Sequence, residues 1–342
     1  ISPSKLKSLW SEEFAKKAEK LDMFACLKNS ATQFYKKENG NYSILAGYPW
    51  FKSRARDQFI SLPGATLSIG ELEYFEKVMQ TAIPEIKAFI NKEPHQFKLQ
   101  ELDAPDVLLW FIWSIQQYAV YTSLEKAIEK YSDIIIDVIM FIRSQKHNKL
   151  FLHTNGLVFA EGRYEAATWM NAVENGRPII PRTGYIVEIN SLWFNALKFT
   201  SLICREKGEE HTADLHDYQA EIARRSFLDI FWNGSYLNDY VVDNYANNEV
   251  RPNMIFAVSM PFSPLDKQQQ KSVVDICTKE LLTPKGLRSL SPKSGGYRPL
   301  YIGGQLERDR NYHNGPVWPW TIGAFAEAYL KIYKNSGLSF IE

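Results

Sequence analysis

Three stretches of this 342-residue sequence combine residue types that could do chemistry. The first, AGYPWFKSRARDQFISLPG at 46–64, sets aromatic rings including Trp50 ahead of Arg54, Arg56 and Asp57. An Arg–Asp pair beside exposed aromatics can fix sugar hydroxyls through charge-assisted hydrogen bonds. A helix-capping Asp with a surface Arg reads the same residues equally well. The second, TWMNAVENGRPIIPRTGYIVEINSLWFNAL at 168–197, carries Trp169, Asn171, Glu174, Arg177, Arg182, Glu188, Asn190, Trp193 and Asn195. Glu188 lies among Ile186, Val187 and Ile189, so it is either paired in a core or raised in pKa and used as an acid. The third, GGYRPLYIGGQLERDRNYHNGPVWPW at 295–320, holds Glu307, Arg308, Asp309, His313, Trp318 and Trp320 between paired glycines.

Several chemistries are excluded by spacing. Neither Gly pair leads to Gly-Lys-Ser/Thr, and Gly-x-Ser-x-Gly and His-Glu-x-x-His are absent. His211 and His216 are five apart on a polar helix, poor metal ligands best read as solvated surface. Cys26, Cys204 and Cys277 are odd in number and scattered, which fits buried free thiols in a reducing, cytoplasmic setting. No metal or organic cofactor is implied. The net charge of +1 gives no reason to expect nucleic acid or an anionic membrane as partner. Aromatics make up 14% of the chain, enough for a large core and for rings lining a cleft. Carboxylates in an aromatic-lined cleft point to glycoside hydrolysis more than to other chemistry.

These stretches need a scaffold, and its periodicity is helical. In SLEKAIEKYSDIIIDVIMFIRSQK, Leu124, Ile128, Tyr131, Ile135, Val138 and Ile142 form one buried stripe. LSIGELEYFEKVMQTAIPEIKAFI reads alike, with Pro84 expected to kink or split it. APDVLLWFIWSIQQYAVYTS is apolar most of the way round and shorter than a membrane span, as an inner helix would be. Further helices are expected at 9–37, 186–206, 212–232, 253–260, 266–281 and 318–334. The stretches 42–64, 150–185 and 283–316 remain as long loops of the kind that carry binding or catalysis. With no linker and no repeat, the economical organisation is one all-α domain over 1–342, with inner and outer helices paired around a common core.

The three stretches, together with RPNMIFAVSMP and LLTPKGLRSLSP, resemble in order the blocks of the C-terminal amylo-α-1,6-glucosidase domain of glycogen debranching enzymes, from about residue 44 onward. The resemblance implies an (α/α)6 toroid that hydrolyses the α-1,6-linked glucose stub at a glycogen branch with inversion, the α-glucan being the partner. It makes Asp57, Glu188 and Glu307 the carboxyl candidates. Trp50, Arg56, Trp169, Arg177, Arg182, Trp193, Arg308, Asp309, His313, Trp318 and Trp320 become the sugar-binding candidates. Two departures stand out. Family members show Thr-Trp-Met-Asp, whose Asp is the expected general acid, where this chain has Asn171. An amide cannot protonate a leaving oxygen. Glu188, or next Glu174, would then supply the proton, or this relative binds α-glucan with impaired catalysis. The chain also stops at YKNSGLSFIE, before the family's Ser-Glu block. The toroid is therefore expected to lack its last helices and its base, with N- and C-terminal segments of the same protein lying elsewhere. Another toroid enzyme acting on sugars, such as an epimerase, would need cleft histidines, for which only His313 and His153 qualify.

Overall fold

A computed structural model describes residues 2–16, 22–49 and 51–341. The chain forms two compact units, Ile1–Leu102 and Asp103–Glu342. In the first, α1 (Pro3–Lys16) and α2 (Met23–Thr32) precede a hairpin of β1 (Tyr35–Glu38) and β2 (Asn41–Ile44), followed by α3 (Ala55–Thr66) and α4 (Leu72–Ile90). The single helix expected over 9–37 is therefore wrong. Asp22 caps a new helix by accepting from the Ala25 N–H at 2.7 Å, and Asn39-Gly40 turns the chain with both φ angles positive (49° and 78°). Asn-Gly between short runs is the strongest local hairpin signal, and it outweighed the helical pattern around it. The loop expected over 42–64 is also half helix: α3 takes Arg56 and Asp57 into its first turn and runs through Pro63. Pro84 does not split α4, which spans it as one element.

The second unit runs α5 (Val107–Tyr121), α6 (Leu124–Arg143), β3 (Leu150–Leu152), β4 (Val158–Ala160), β5 (Val173–Glu174), β6 (Arg177–Pro178), β7 (Tyr185–Ile186), α7 (Val187–Glu206) and α8 (Glu210–Phe231). It continues with β8 (Tyr240–Val242), β9 (Tyr245–Asn247), α9 (Phe256–Ser259), α10 (Lys267–Glu280), β10 (Leu282–Thr283), β11 (Gly286–Arg288), α11 (Gln305–Asn311), β12 (Val317–Trp318), α12 (Thr321–Tyr333) and α13 (Leu338–Ile341). Helix α5 packs on α6, and α7 on α8. The members of each pair differ as their sequences do. Helices α5 and α7 are enclosed almost all round, whereas α6 and α8 bury one stripe. On α6 that stripe includes Tyr131, Ile135, Val138 and Ile142, as the spacing predicts. Burying an apolar residue of this size stabilises by about 1.5–3 kcal/mol, so the enclosed helices form the rigid part on which the loops sit.

Those loops are not structureless. Residues 150–185 carry three short antiparallel ladders, β3–β4, β5–β6 and, with β8 and β9, β7. Residues 283–316 contain β11 and α11, so the expectation of one long loop there is corrected as well. His216 is buried at 3% exposure and not on the solvated surface expected for it. Cys204 and Cys277 are buried free thiols, but Cys26 is exposed. No helix among the described residues is long and apolar enough to cross a membrane.

Candidate active site

The second unit brings 168–184 and 313–320 together around the indole of Trp169. Its ring meets Trp318 and Trp320 edge-on, each at 5.1 Å between centroids, and His313 at 5.2 Å. The His313 ring stacks on Trp318 at 5.0 Å. Trp169 is buried, and its Nε1–H donates to Asn253 Oδ1 at 2.8 Å. It is thus fixed by its polar edge and both neighbouring indoles, not offered as a free stacking face. Trp318 and Trp320 stay half-exposed and supply the accessible aromatic surface.

Behind the aromatic cluster lies a buried ionic network. Arg182, 2% exposed, donates through Nη1 and Nη2 to the two carboxylate oxygens of Glu188, the Nη2–Oε2 bond measuring 2.7 Å. The same guanidinium donates to Asp239 Oδ2 at 2.7 Å and Oδ1 at 2.9 Å, and to Thr168 Oγ1 at 3.1 Å. Asn253 joins the two halves, giving its Nδ2–H to Asp239 Oδ1 at 2.7 Å. One cation between two carboxylates in a dry region is held firmly charged. Desolvation raises the pKa of Glu188, with Arg182 pulling it back. The expected roles of Arg182 as a hydroxyl ligand and Glu188 as the acid are therefore corrected: both are enclosed and spend their hydrogen bonds on each other. Trp193 is likewise interior, its Nε1–H donating to the Gly156 carbonyl at 3.0 Å.

The rest of 168–184 is held from outside. Glu174 in β5 accepts from Arg310 of α11, Nε–Oε2 at 2.9 Å and Nη2–Oε1 at 2.6 Å, which lowers its pKa and keeps it ionised. An acid so paired is poorly suited to the proton-donor role considered for it. Arg177 is exposed, with its guanidinium over the Tyr164 ring at 5.8 Å. Glu307 turns back to accept from the Gly304 N–H at 2.8 Å, capping the start of α11. The side chains of Arg308 and Asp309 bond to Gln305, one turn away on the same short helix.

Asn171 is half-buried, and its backbone N–H points to His313 Nε2 at 3.2 Å. An accepting Nε2 places the ring proton on Nδ1, which has no partner among the described residues. Burial and the nearby Arg251 push the His313 pKa down to about 3, so the imidazole is neutral at ordinary pH. Arg251, itself buried, fixes the backbone here by donating to the His313 carbonyl at 2.7 Å and the Ser289 carbonyl at 3.1 Å.

In the first unit Asp57 is open to solvent, yet the atoms around its carboxyl raise its pKa against the pull of Arg54 and Arg56. Arg56 is buried and faces Glu101 at 3.8 Å, an arrangement that ties α3 to residues 100–101 more than it offers a sugar ligand. Trp50 lies outside the described residues.

Asp239, Asn253, Arg251 and Thr168 were not singled out from the sequence. Arg251 and Asn253 sit in RPNMIFAVSMP, where two polar residues inside an apolar block were the available signal. Asp239 offered none, because its partner is distant in sequence.

Comparison with known proteins agrees with this architecture. Residues 28–341 match the family described as amylo-alpha-1,6-glucosidase, and the chain belongs to that family. It is similar to the glycogen debranching enzyme of Saccharomyces cerevisiae, at 26% identity over 52% of this chain and 14% of that protein. A solved structure described as a sialidase shares the fold, with a TM-score of 0.63 and 12% identity over 92% of this chain and 27% of that one. The chain thus spans well under a third of the length of either relative.

Proposed function

We propose that this chain handles α-glucan in an inverting α-1,6-glucosidase, which removes the glucose stub at glycogen-type branch points. Membership of the family over residues 28–341 carries the reading, and the half-exposed indoles of Trp318 and Trp320 supply the kind of surface sugars stack on. We read the alternation of enclosed and one-sided helices as the inner and outer layers of an (α/α)6 toroid forming a single glucosidase domain. Inversion requires two carboxyls about 6.5–9.5 Å apart, with room for a water between one of them and the sugar. Of the four candidates for catalysis, Asp57 keeps an exposed carboxyl with a raised pKa, and it belongs to the first unit. Asn171 would hydrogen-bond the substrate. Glu188 and Arg182 would act through the loop they anchor.

The amide at position 171 favours a second reading, an α-glucan-binding relative with impaired catalysis. One experiment separates the two: glucose release from phosphorylase-limit dextrin, with the anomer followed by NMR, for the protein and for Asn171→Asp. Early β-glucose from the unaltered protein supports the inverting glucosidase. Saturable oligosaccharide binding without glucose, and a gain of rate in Asn171→Asp, supports the impaired relative. Absence of both binding and turnover removes both readings.

A further inference from the structure

The first unit contains a groove that the site above does not use. It has a volume of about 320 Å³, and its lining includes Asn41, Tyr42, Ser53, Phe97, Lys98 and Gln100. That volume lies at the lower end of the range for ligand pockets, about 300–1,000 Å³.

Both walls are built independently of any ligand. One is the edge of β2, where the Tyr42 N–H donates to Thr81 Oγ1 at 2.9 Å and the Ile44 N–H to Gln58 Oε1 at 3.2 Å. The other is the segment 97–100. Glu85 is buried, and its Oε2 accepts the Lys98 and Leu99 N–H groups at 3.1 and 2.9 Å. Gln100 then exchanges backbone bonds with Ser53 and Ala55 at 3.1 and 2.9 Å. A groove already held open loses little ordering entropy when it binds.

Its charges nearly balance. The lining cations are Lys36, Lys52 and Lys98, and the anions Glu38 and Glu85. Lys36 is paired with Glu38 at 2.7 Å, and Glu85 is occupied by backbone donors. A phosphate-type ligand is best held by a guanidinium fork; the described lining has no arginine, and its cations outside the Lys36–Glu38 pair are Lys52 and Lys98. What it offers instead is amides and hydroxyls from Asn41, Ser53, Gln58 and Thr81 beside Phe97, which is 40% exposed and backed edge-on by His95 at 5.0 Å. An aromatic face next to neutral donors and acceptors suits a ring with an apolar face and a rim of hydroxyls.

We propose that this groove is a second, non-catalytic binding site for a neutral oligosaccharide. Its identity as an α-glucan chain rests on the function proposed above.

The test is hydrogen exchange of the full chain with and without maltoheptaose, combined with affinity measured for Phe97→Ala and Phe97→Trp. The expected result is protection of 36–44 and 97–100, binding about three- to tenfold weaker in Phe97→Ala, and affinity retained in Phe97→Trp, whose preserved aromatic wall also controls for misfolding. Protection confined to 168–184 and 313–320 would overturn the groove and leave the proposed function standing. Protection of the groove alone, with no glucose release, would support the groove and count against the function. Protection of the groove by inorganic phosphate and not by maltoheptaose would overturn the oligosaccharide assignment.

Discussion

With its guanidinium shared between Glu188 and Asp239, Arg182 carries one positive charge against two carboxylates in a region closed to water. Removing it leaves both acids buried and unpaired. Breaking one partner out of such a pair costs about 3–5 kcal/mol, so Arg182→Met should lower unfolding stability by about that amount in guanidinium titrations. A loss under about 1 kcal/mol would show that the network contributes little to the fold. Glu188→Gln should act mainly through the packing of 168–184, with substrate affinity and turnover declining together. The sequence marked Glu188 as unusual because a carboxylate stood among apolar residues, and it left pairing and acid catalysis both open. Pairing won because Arg182 and Asp239 converge on it, a convergence that adjacent residues cannot announce when one partner lies 57 positions from the other. The indoles illustrate the same limit: their types were legible, but not which would be fixed inside and which left half-exposed.

At the scale of elements, the loops are shaped by close backbone approaches as much as by hydrogen bonds. Gly184 pairs with Ala160 through backbone bonds of 2.8 and 2.9 Å and has φ of +102°. A Cβ there would overlap the Val241 carbonyl oxygen. Gly40, at φ of +78° in the β1–β2 turn, has open space around it. Gly40→Ala should therefore cost about 1 kcal/mol, the backbone penalty alone. Gly184→Ala should cost several times more and loosen β7 from β4, as thermal unfolding of the two variants would reveal. Equal losses would contradict the close approach. The Arg310–Glu174 pair makes a different prediction, because it is solvent-accessible. Arg310→Ala should leave the melting temperature unchanged and speed hydrogen exchange across 173–178. The long helices could be read from their apolar spacing, whereas the two- and three-residue strands inside the loops could not, since segments so short have no period to detect.

For the molecule as a whole, charge and pH give the broadest tests. A neutral glucan, the ligand proposed for this chain of net charge +1, has no counterions to release. Maltoheptaose affinity should thus change by less than about twofold between about 50 and 500 mM NaCl. A steep salt dependence would imply an ionic ligand. Acid is different. Burial lowers His147 from 6.5 to about 4 and His313 from 6.5 to about 3, so in the folded chain both stay neutral where the unfolded chain takes up protons. Depressed imidazoles give stability that is complete above about pH 6.5 and lost as pH falls. At pH 5 each should cost about 2 kcal/mol relative to pH 7. Glu188, raised in the fold, acts in the opposite sense, so a single difference isolates the histidine effect: the pH 7-to-5 drop in denaturant stability should shrink by about 2 kcal/mol in His147→Gln. An unchanged drop would contradict the burial assigned to that ring.

The packing of Trp169 against Trp318 and Trp320, at 5.1 Å each, also has an optical meaning. Indole transitions held edge-to-face at that range couple, so the cluster should give a circular-dichroism couplet that isolated tryptophans lack. The signal would vanish if 168–184 lifted away from 313–320. The protein thus carries its own reporter, readable without a label, of whether these two segments are together.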